Sequence, residues 1–408
     1  MAEFWQWRGD LPTGSGYVML KDGAGRQGMN TIFGDNITAE RVSSINVQFQ
    51  YNLSTYDVKT AVVDTGTATQ SNHQAVVSTG TGVSASATIE SIDAVRYLPG
   101  HEGYAHFTTE FSTPATGSKQ LIGIIDEDDG FALGYIDTTF CVLRRKDGID
   151  YVVNQSDFNL NKLDGSGKEW TAVDFTKGNV WRITYGWLGY ASINFEVMEK
   201  DGSWTTFHRI EYPNNNNGTN IGNPVLPIKM QVIKTGGTLT ADITLKTGSW
   251  NAGTVGSVAG CCNRYFAFTN LITITAINTL SNIFTIKNMT AFQTFDNKIR
   301  TRFLMINCAS ESKKIGTMRM IRNATLVGVT ATYTYIDSGN STIQYTTAAA
   351  TISGGTTMMA MTLAADDSQT VDVSNGNLIV YPGDTITFAA SLQELVATSM
   401  SVRWQEEF

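Results

Sequence analysis

Charge is what this 408-residue chain has least of. Asp, Glu, Lys and Arg together supply 16% of it, against roughly a quarter in ordinary globular domains. Thr, Ser, Asn and 38 glycines take their place. Uncharged polar surfaces of this kind suit turn-rich β proteins. With 42% hydrophobic and 10% aromatic residues, the chain is not a disordered regulator, which needs high net charge and few aromatics. Basic residues are outnumbered, 29 to 37, for a net charge of −8. Nucleic-acid binding needs a basic patch, and Arg144-Arg145-Lys146 is too short a run to make one, so no nucleic-acid partner is expected. No run of 18 or more apolar residues occurs, so no membrane-spanning helix is expected. The start, MAEFWQWRGDLP, lacks the basic and apolar regions of a secretory leader. Four cysteines, Cys141, Cys261, Cys262 and Cys308, have neither the C-x-x-C spacing of a zinc or redox site nor the number of a disulfide scaffold. Buried free thiols in a protein made in a reducing cytoplasm are the reading.

Helical periodicity is also missing, and period-2 alternation stands in its place. INVQFQY (45–51), SINFEVM (192–198) and ATYTYI (331–336) alternate as half-buried antiparallel strands do. Asp147-Gly148, Asp164-Gly165, Asp201-Gly202 and Ser338-Gly339-Asn340 punctuate them as turns. The expected fold is all-β: two antiparallel β-sandwich, jelly-roll-like domains behind an extended N-terminal arm. The arm is 1–35, the first domain 36–255 and the second 256–408, with the glycine-rich stretch 252–260 as boundary. The 63–90 region, rich in Ser, Thr and Gly, keeps an alternation through Ala75, Val77, Ala85, Ala87 and Ile89, and reads as a hairpin of small side chains. Phe4, Trp5 and Trp7 in the arm are natural anchors for docking into a neighbouring subunit.

The densest carboxylate run is IIDEDDG at 124–130. Asp126, Asp128 and Asp129 are the candidate cation ligands. A calcium loop of the D-x-[DN]-x-[DN]-G type needs glycine sixth and an acid twelfth. Here Gly130 arrives fifth, and four adjacent acids point in alternating directions, so a solvated hairpin turn is the preferred reading. In a second polar stretch, Asp157, Asn159 and Asn161 alternate, but Lys162 stands where glycine should be. GAGRQG (23–28) lacks the strand and helix that a dinucleotide fingerprint requires, and Arg8-Gly9-Asp10 is a chance tripeptide. His101 and His106, five apart, fall on opposite faces of a strand and cannot share a metal. No G-x-S-x-G, H-E-x-x-H or P-loop exists, so no catalytic residue or cofactor is expected, and the protein is expected not to be an enzyme. Trp181, Trp187 and Trp204 are the candidates for stacking on sugar rings.

Across 30–250 the chain resembles a group of virion structural proteins of tailed bacteriophages and related environmental viruses, of the neck, collar, tail-fibre or capsid-decoration type. The resemblance is carried by Phe33-Gly34-Asp35, by Arg96 to Glu102 (RYLPGHE), by Asp128 to Gly134 (DDGFALG) and by Gln155 to Asn159 (QSDFN). It continues with Leu163-Asp164-Gly165, Trp187-Leu188-Gly189, His208-Arg209-Ile210 and Asn223 to Pro227 (NPVLP), and the ending Ser401 to Phe408 (SVRWQEEF) is similar to the way these proteins close. It implies a virion subunit made in the host cytoplasm, partnering itself as a homotrimer and other virion proteins, and presenting a face to a host-surface glycan. The alternative is a carbohydrate-binding receptor reader or depolymerase-like protein.

Overall fold

A computed structural model describes residues 41–166, 172–235, 238–256, 263–376 and 378–408. The arm, with Phe4, Trp5, Trp7, GAGRQG and Arg8-Gly9-Asp10, lies outside the described residues, as do Cys261 and Cys262. The chain divides into two compact units, Met1–Val258 and Ala259–Phe408. Strands dominate both. Among the described residues the one helical piece is a 3-10 turn, Gln155–Asp157, and no helix is long and apolar enough to cross a membrane. The fold is all-β, as expected.

The strands of the first unit are β1 (Arg41–Gln48), β2 (Val58–Val63), β3 (Thr67–Ser71), β4 (Gln74–Ser78), β5 (Ser86–Ser91), β6 (Glu102–Phe111), β7 (Ser118–Ile125) and β8 (Gly130–Ile136). They continue with β9 (Thr139–Lys146), β10 (Ile149–Asn154), β11 (Asn179–Gly186), β12 (Ile193–Met198), β13 (Trp204–Ile210), β14 (Ile228–Lys234), β15 (Thr244–Thr247) and β16 (Ser249–Val255). One sheet runs β13-β12-β11-β6-β15-β4-β3, with β16 also on β6 and β1 on β16; the other runs β10-β9-β8-β7-β14-β5-β2. The two face each other as a sandwich. Trp181, Ile183 and Tyr185 of β11 and Phe107 of β6 meet Ile122 and Ile124 of β7, Phe131 and Leu133 of β8 and Val142 of β9 in one buried core. Alternation explains the division: every second residue of each strand points inward. Ala75, Val77, Ala85, Ala87 and Ile89 are all fully buried, so the Ser/Thr/Gly-rich stretch contributes core strands.

The second unit is a smaller sandwich. One sheet orders β17 (Asn263–Thr273), Ala397–Glu407, Arg300–Ser310 and Ser368–Asp372. The other is built around Ser281–Asn288, Thr385–Ser391, Gly316–Arg322 and Thr356–Leu363. Phe303, Trp404, Phe284 and Phe388 fill the space between. The closing stretch SVRWQEEF is a central strand. Its Glu406 is fully buried and accepts hydrogen bonds from the Ser341 hydroxyl (2.5 Å), the Thr342 amide (2.7 Å) and Trp404 Nε1 (3.1 Å), which ties the 337–342 turn to the sheet.

Some boundaries differ from the sequence reading. Of ATYTYI only Thr334–Tyr335 is strand, and β1 ends at Gln48, before Tyr51. Alternation marks which residues are in reach of a sheet, but a strand exists only where a neighbour completes its ladder. The glycine-rich 252–260 stretch begins inside β16, which runs to Val255. Cys141 and Cys308 are buried free thiols, their pKa values pushed by burial up to about 12 and about 11.

Candidate functional site

IIDEDDG joins β7 to β8 as a hairpin turn. Gly130 has φ +133, and a Cβ there would lie 2.4 Å from the Ile124 carbonyl oxygen, so only glycine fits the reversal. The acids do not simply face water. Asp126 Oδ1 accepts the amides of Asp128 (2.9 Å) and Asp129 (2.8 Å). Asp129, 4% exposed, accepts the amide of Gly222 on one oxygen (2.7 Å) and that of Asn223 on the other (2.9 Å). Glu127 pairs with the buried Lys229, which also faces Glu90 at 3.5 Å. The turn is a clamp on the 222–223 loop, with Asp126 and Asp129 engaged by backbone amides. Among the described residues no cluster of three or more His, Cys, Asp or Glu is arranged to hold a metal. Replacing Asp129 by alanine is expected to strip two buried amides of their acceptor and cost about 2–4 kcal/mol, read as a lower denaturant midpoint; an unchanged midpoint would remove the clamp. His101 and His106 do not share one strand: His101 precedes β6, its Nδ1 2.8 Å from the Val255 carbonyl oxygen, while His106 sits within β6. Asn159, the second polar candidate, instead grips Arg209, accepting its amide (3.0 Å) and donating to its carbonyl (3.0 Å).

A different constellation occupies the outward face of the larger sheet of the first unit. Because β11 alternates as W-R-I-T-Y, burying Trp181, Ile183 and Tyr185 turns Arg182 and Thr184 to the other side. By the same rule β12 presents Asn194 and Glu196 between Ile193, Phe195 and Val197. The register then aligns one row of polar side chains across four strands: Thr206, Glu196, Arg182 and His106. A bulge between Phe195 and Glu196 re-aims the edge strand β13. Arg182 grips Glu196 through two bonds, Nε to Oε2 at 2.5 Å and Nη2 to Oε1 at 2.7 Å. Over this pair lies Trp204, its ring centroid 4.4 Å from the Arg182 Cζ and stacked on His106 at 5.5 Å. Tyr104 lies beyond His106, its ring tilted by 44° at 5.2 Å. The Ser43 hydroxyl lies 3.3 Å from the Tyr104 hydroxyl.

Burial sets the electrostatics. Arg182, Glu196 and Glu102 are buried, and a buried charge is tolerated only when paired. Burial, then the guanidiniums of Arg41 and Arg182, push His106 down to about 3, so its ring is neutral in the folded protein. Burial and the nearby Arg182 also lower Arg41. His106 Nε2 is buried without a hydrogen-bond partner among the described residues. Toward β12 and β13 the face opens: Asn194, Thr206 and Trp204 are half-buried and Arg209 is exposed. There Arg209 Nε donates to Asn194 Oδ1 (2.7 Å) and Asn194 Nδ2 to the Thr184 hydroxyl (3.3 Å).

Of the three tryptophans singled out from sequence, only Trp204 is on this face. Trp181 is fully buried, and Trp187 packs edge-on against Tyr97. Arg182 and Glu196 were missed, although a charge alternating with large apolar residues in WRITY and INFEV is the signal that places them.

No family model and no curated protein matches this chain. Solved structures of similar shape are a glycosyl hydrolase family protein from Mycobacterium fortuitum and a putative β-glucanase from Mycobacterium abscessus. The first is 11% identical with a TM-score of 0.36, covering 52% of this chain and 99% of that one. The second is 10% identical with a TM-score of 0.37, covering 52% of this chain and 100% of that one. A third is a botulinum neurotoxin type C, whose cell entry depends on two ganglioside molecules, 9% identical with a TM-score of 0.31, covering 52% of this chain and 47% of that one. The expectation that the chain is not an enzyme is corrected to this extent: glycosyl hydrolases are among the structures it is similar to, and neither an activity nor a catalytic residue follows from the likeness.

Proposed function

We propose that the first unit reads a glycan on the outer face of β11–β13, with Trp204 as the stacking surface. The carrying observation is the fixing of Trp204 over Arg182 and His106 beside the hydrogen-bonded Glu196, Asn194 and Arg209. Sugar rings offer an apolar face of C–H groups and an equatorial belt of hydroxyls. A rigid indole next to preoriented donors and acceptors meets both needs at small entropic cost. Two guanidiniums, Arg41 and Arg182, are matched by two carboxylates, Glu102 and Glu196, and His106 is neutral, while Arg209 at the open end adds an exposed guanidinium that can donate to a sugar hydroxyl or carboxylate. A glycan array followed by calorimetry tests the reading. Trp204→Ala is expected to weaken binding at least about tenfold, and undiminished binding by the variant would end the proposal. The same samples, assayed for newly released reducing ends with Glu102→Gln and Glu196→Gln alongside, decide whether the bound glycan is also cleaved by a carboxylate pair.

A second reading, a virion subunit that assembles with itself and with other virion proteins, is supported by the edge strand β10. Ile149, Tyr151 and Val152 are exposed on it, and β10 pairs only with β9 among the described residues. Open apolar edges are assembly surfaces in particles and liabilities elsewhere. Mass spectrometry of purified particles tests this reading, which falls if the protein is absent from them.

A further inference from the structure

The geometry points to β17 as a two-fold interface through which two copies of this chain join their second units into one continuous sheet. β17 is eleven residues long, regular, and paired only with Ala397–Glu407 among the described residues. Natural edge strands are blunted by bulges, prolines, inward charges or shortness. β17 is neither short nor broken: its register is continuous, it contains no proline, and its one charge, Arg264, lies near its start, over the Phe408 ring at 3.5 Å. The far edge of the same sheet is made of two short strands on Arg300–Ser310, the five-residue Ser368–Asp372 and the two-residue Ile379–Val380, which is how a protected edge looks.

The hydrogen-bonding direction is fixed by the amide of Ile274, which donates to the Val396 carbonyl (3.0 Å). In an antiparallel ladder alternate residues bond to the same neighbour. The even-numbered residues of β17 therefore bond inward, and Tyr265, Ala267, Thr269 and Leu271 aim their amides and carbonyls at the open edge. Their side chains are exposed too, Leu271 by 66% and Tyr265 by 49%. Phe266, Phe268 and Ile272 reach the core but stay only partly buried, as residues whose cover is incomplete do.

A second copy is the occupant that matches this edge. Antiparallel pairing centred on Phe268 uses all eleven residues, where pairing with the five-residue far edge would use fewer than half. It sets Tyr265 opposite Leu271, an aromatic–aliphatic pair of the stabilising kind, and Phe268 opposite its own copy. It also keeps the two Arg264 side chains eight residues apart along the strand, about 27 Å, so no like charges meet.

Light scattering on the full chain, with Thr269→Pro and Leu271→Lys, tests the interface. Proline at Thr269 removes an edge-directed amide and leaves the inward ladder intact; lysine at Leu271 places a charge on the exposed face. Wild-type protein at twice the chain mass, halved in both variants with unchanged thermal melts, is the expected result. A monomeric wild type, a trimer, or a dimer that survives both variants would overturn it. Should Thr269→Pro melt lower, Leu271→Lys alone decides, by the same two outcomes.

Discussion

Arg182→Met lowers the stability of the first unit by about 3–5 kcal/mol, because it leaves the Glu196 carboxylate buried without its partner. Both side chains are nearly inaccessible, at 10% and 9%, so water cannot replace the guanidinium, and methionine supplies the stem but no donor. Most of the loss comes from the stranded charge. The double variant Arg182→Met/Glu196→Gln is therefore expected to recover more than half of it, leaving a coupling well above the 0–1 kcal/mol typical of exposed pairs. Denaturant titrations of the four proteins in the cycle measure this directly. A single-variant cost below about 1 kcal/mol would mean that the pair behaves as a surface salt bridge. Trp204 adds a second readout: it rests on Arg182, so its fluorescence should shift in Arg182→Met even where the unit stays folded.

The second large effect is acid sensitivity. His106 is held down to about 3 in the fold, against 6.5 for the free side chain. The unfolded chain thus takes up a proton near pH 6.5 that the folded chain refuses until near pH 3. Stability from this residue is fully present above pH 6.5 and falls as pH drops through the interval, at up to about 1.4 kcal/mol per pH unit. Summed over the whole window it approaches about 4–5 kcal/mol. Burial sets the sign, and the facing groups add to it: Arg41 and Arg182 oppose a third cation, while Glu102 and Glu196 already have the guanidiniums to answer. Burial lowers His208 as well, and it contributes in the same direction. His106→Gln, neutral at every pH, is expected to flatten the curve between pH 6.5 and 4 relative to wild type. Parallel curves for the two proteins would show that the imidazole charges freely in the fold.

Much of the fold was legible. INVQ and INFEVM gave strands because a half-buried strand must alternate, and Asp147-Gly148 and Asp201-Gly202 gave turns because their backbone reverses cheaply. The hairpin at IIDEDDG was legible for the same reason. Its role was not: the partners of Asp129 are amides 93 and 94 residues further along, and nothing local in Asp-Asp-Gly announces them. The tryptophans carry the same lesson. Trp181 and Trp204 read alike in sequence, yet one donates its indole N–H to the Thr109 hydroxyl at 2.7 Å inside the core and the other lies on the outer face.

Composition and periodicity by themselves determined that this chain has an all-β fold, is poor in charge and is built for two cores, since burial must follow the pleat wherever every second residue is apolar. Only the tertiary structure decided which charges meet. His106, Arg182, Glu196 and Trp204 come from four strands, and strand pairing, fixed by how the inward faces pack, set the register that brings them together. The outward residues inherit that register. A site on the outer face is therefore written in the packing of the inner one.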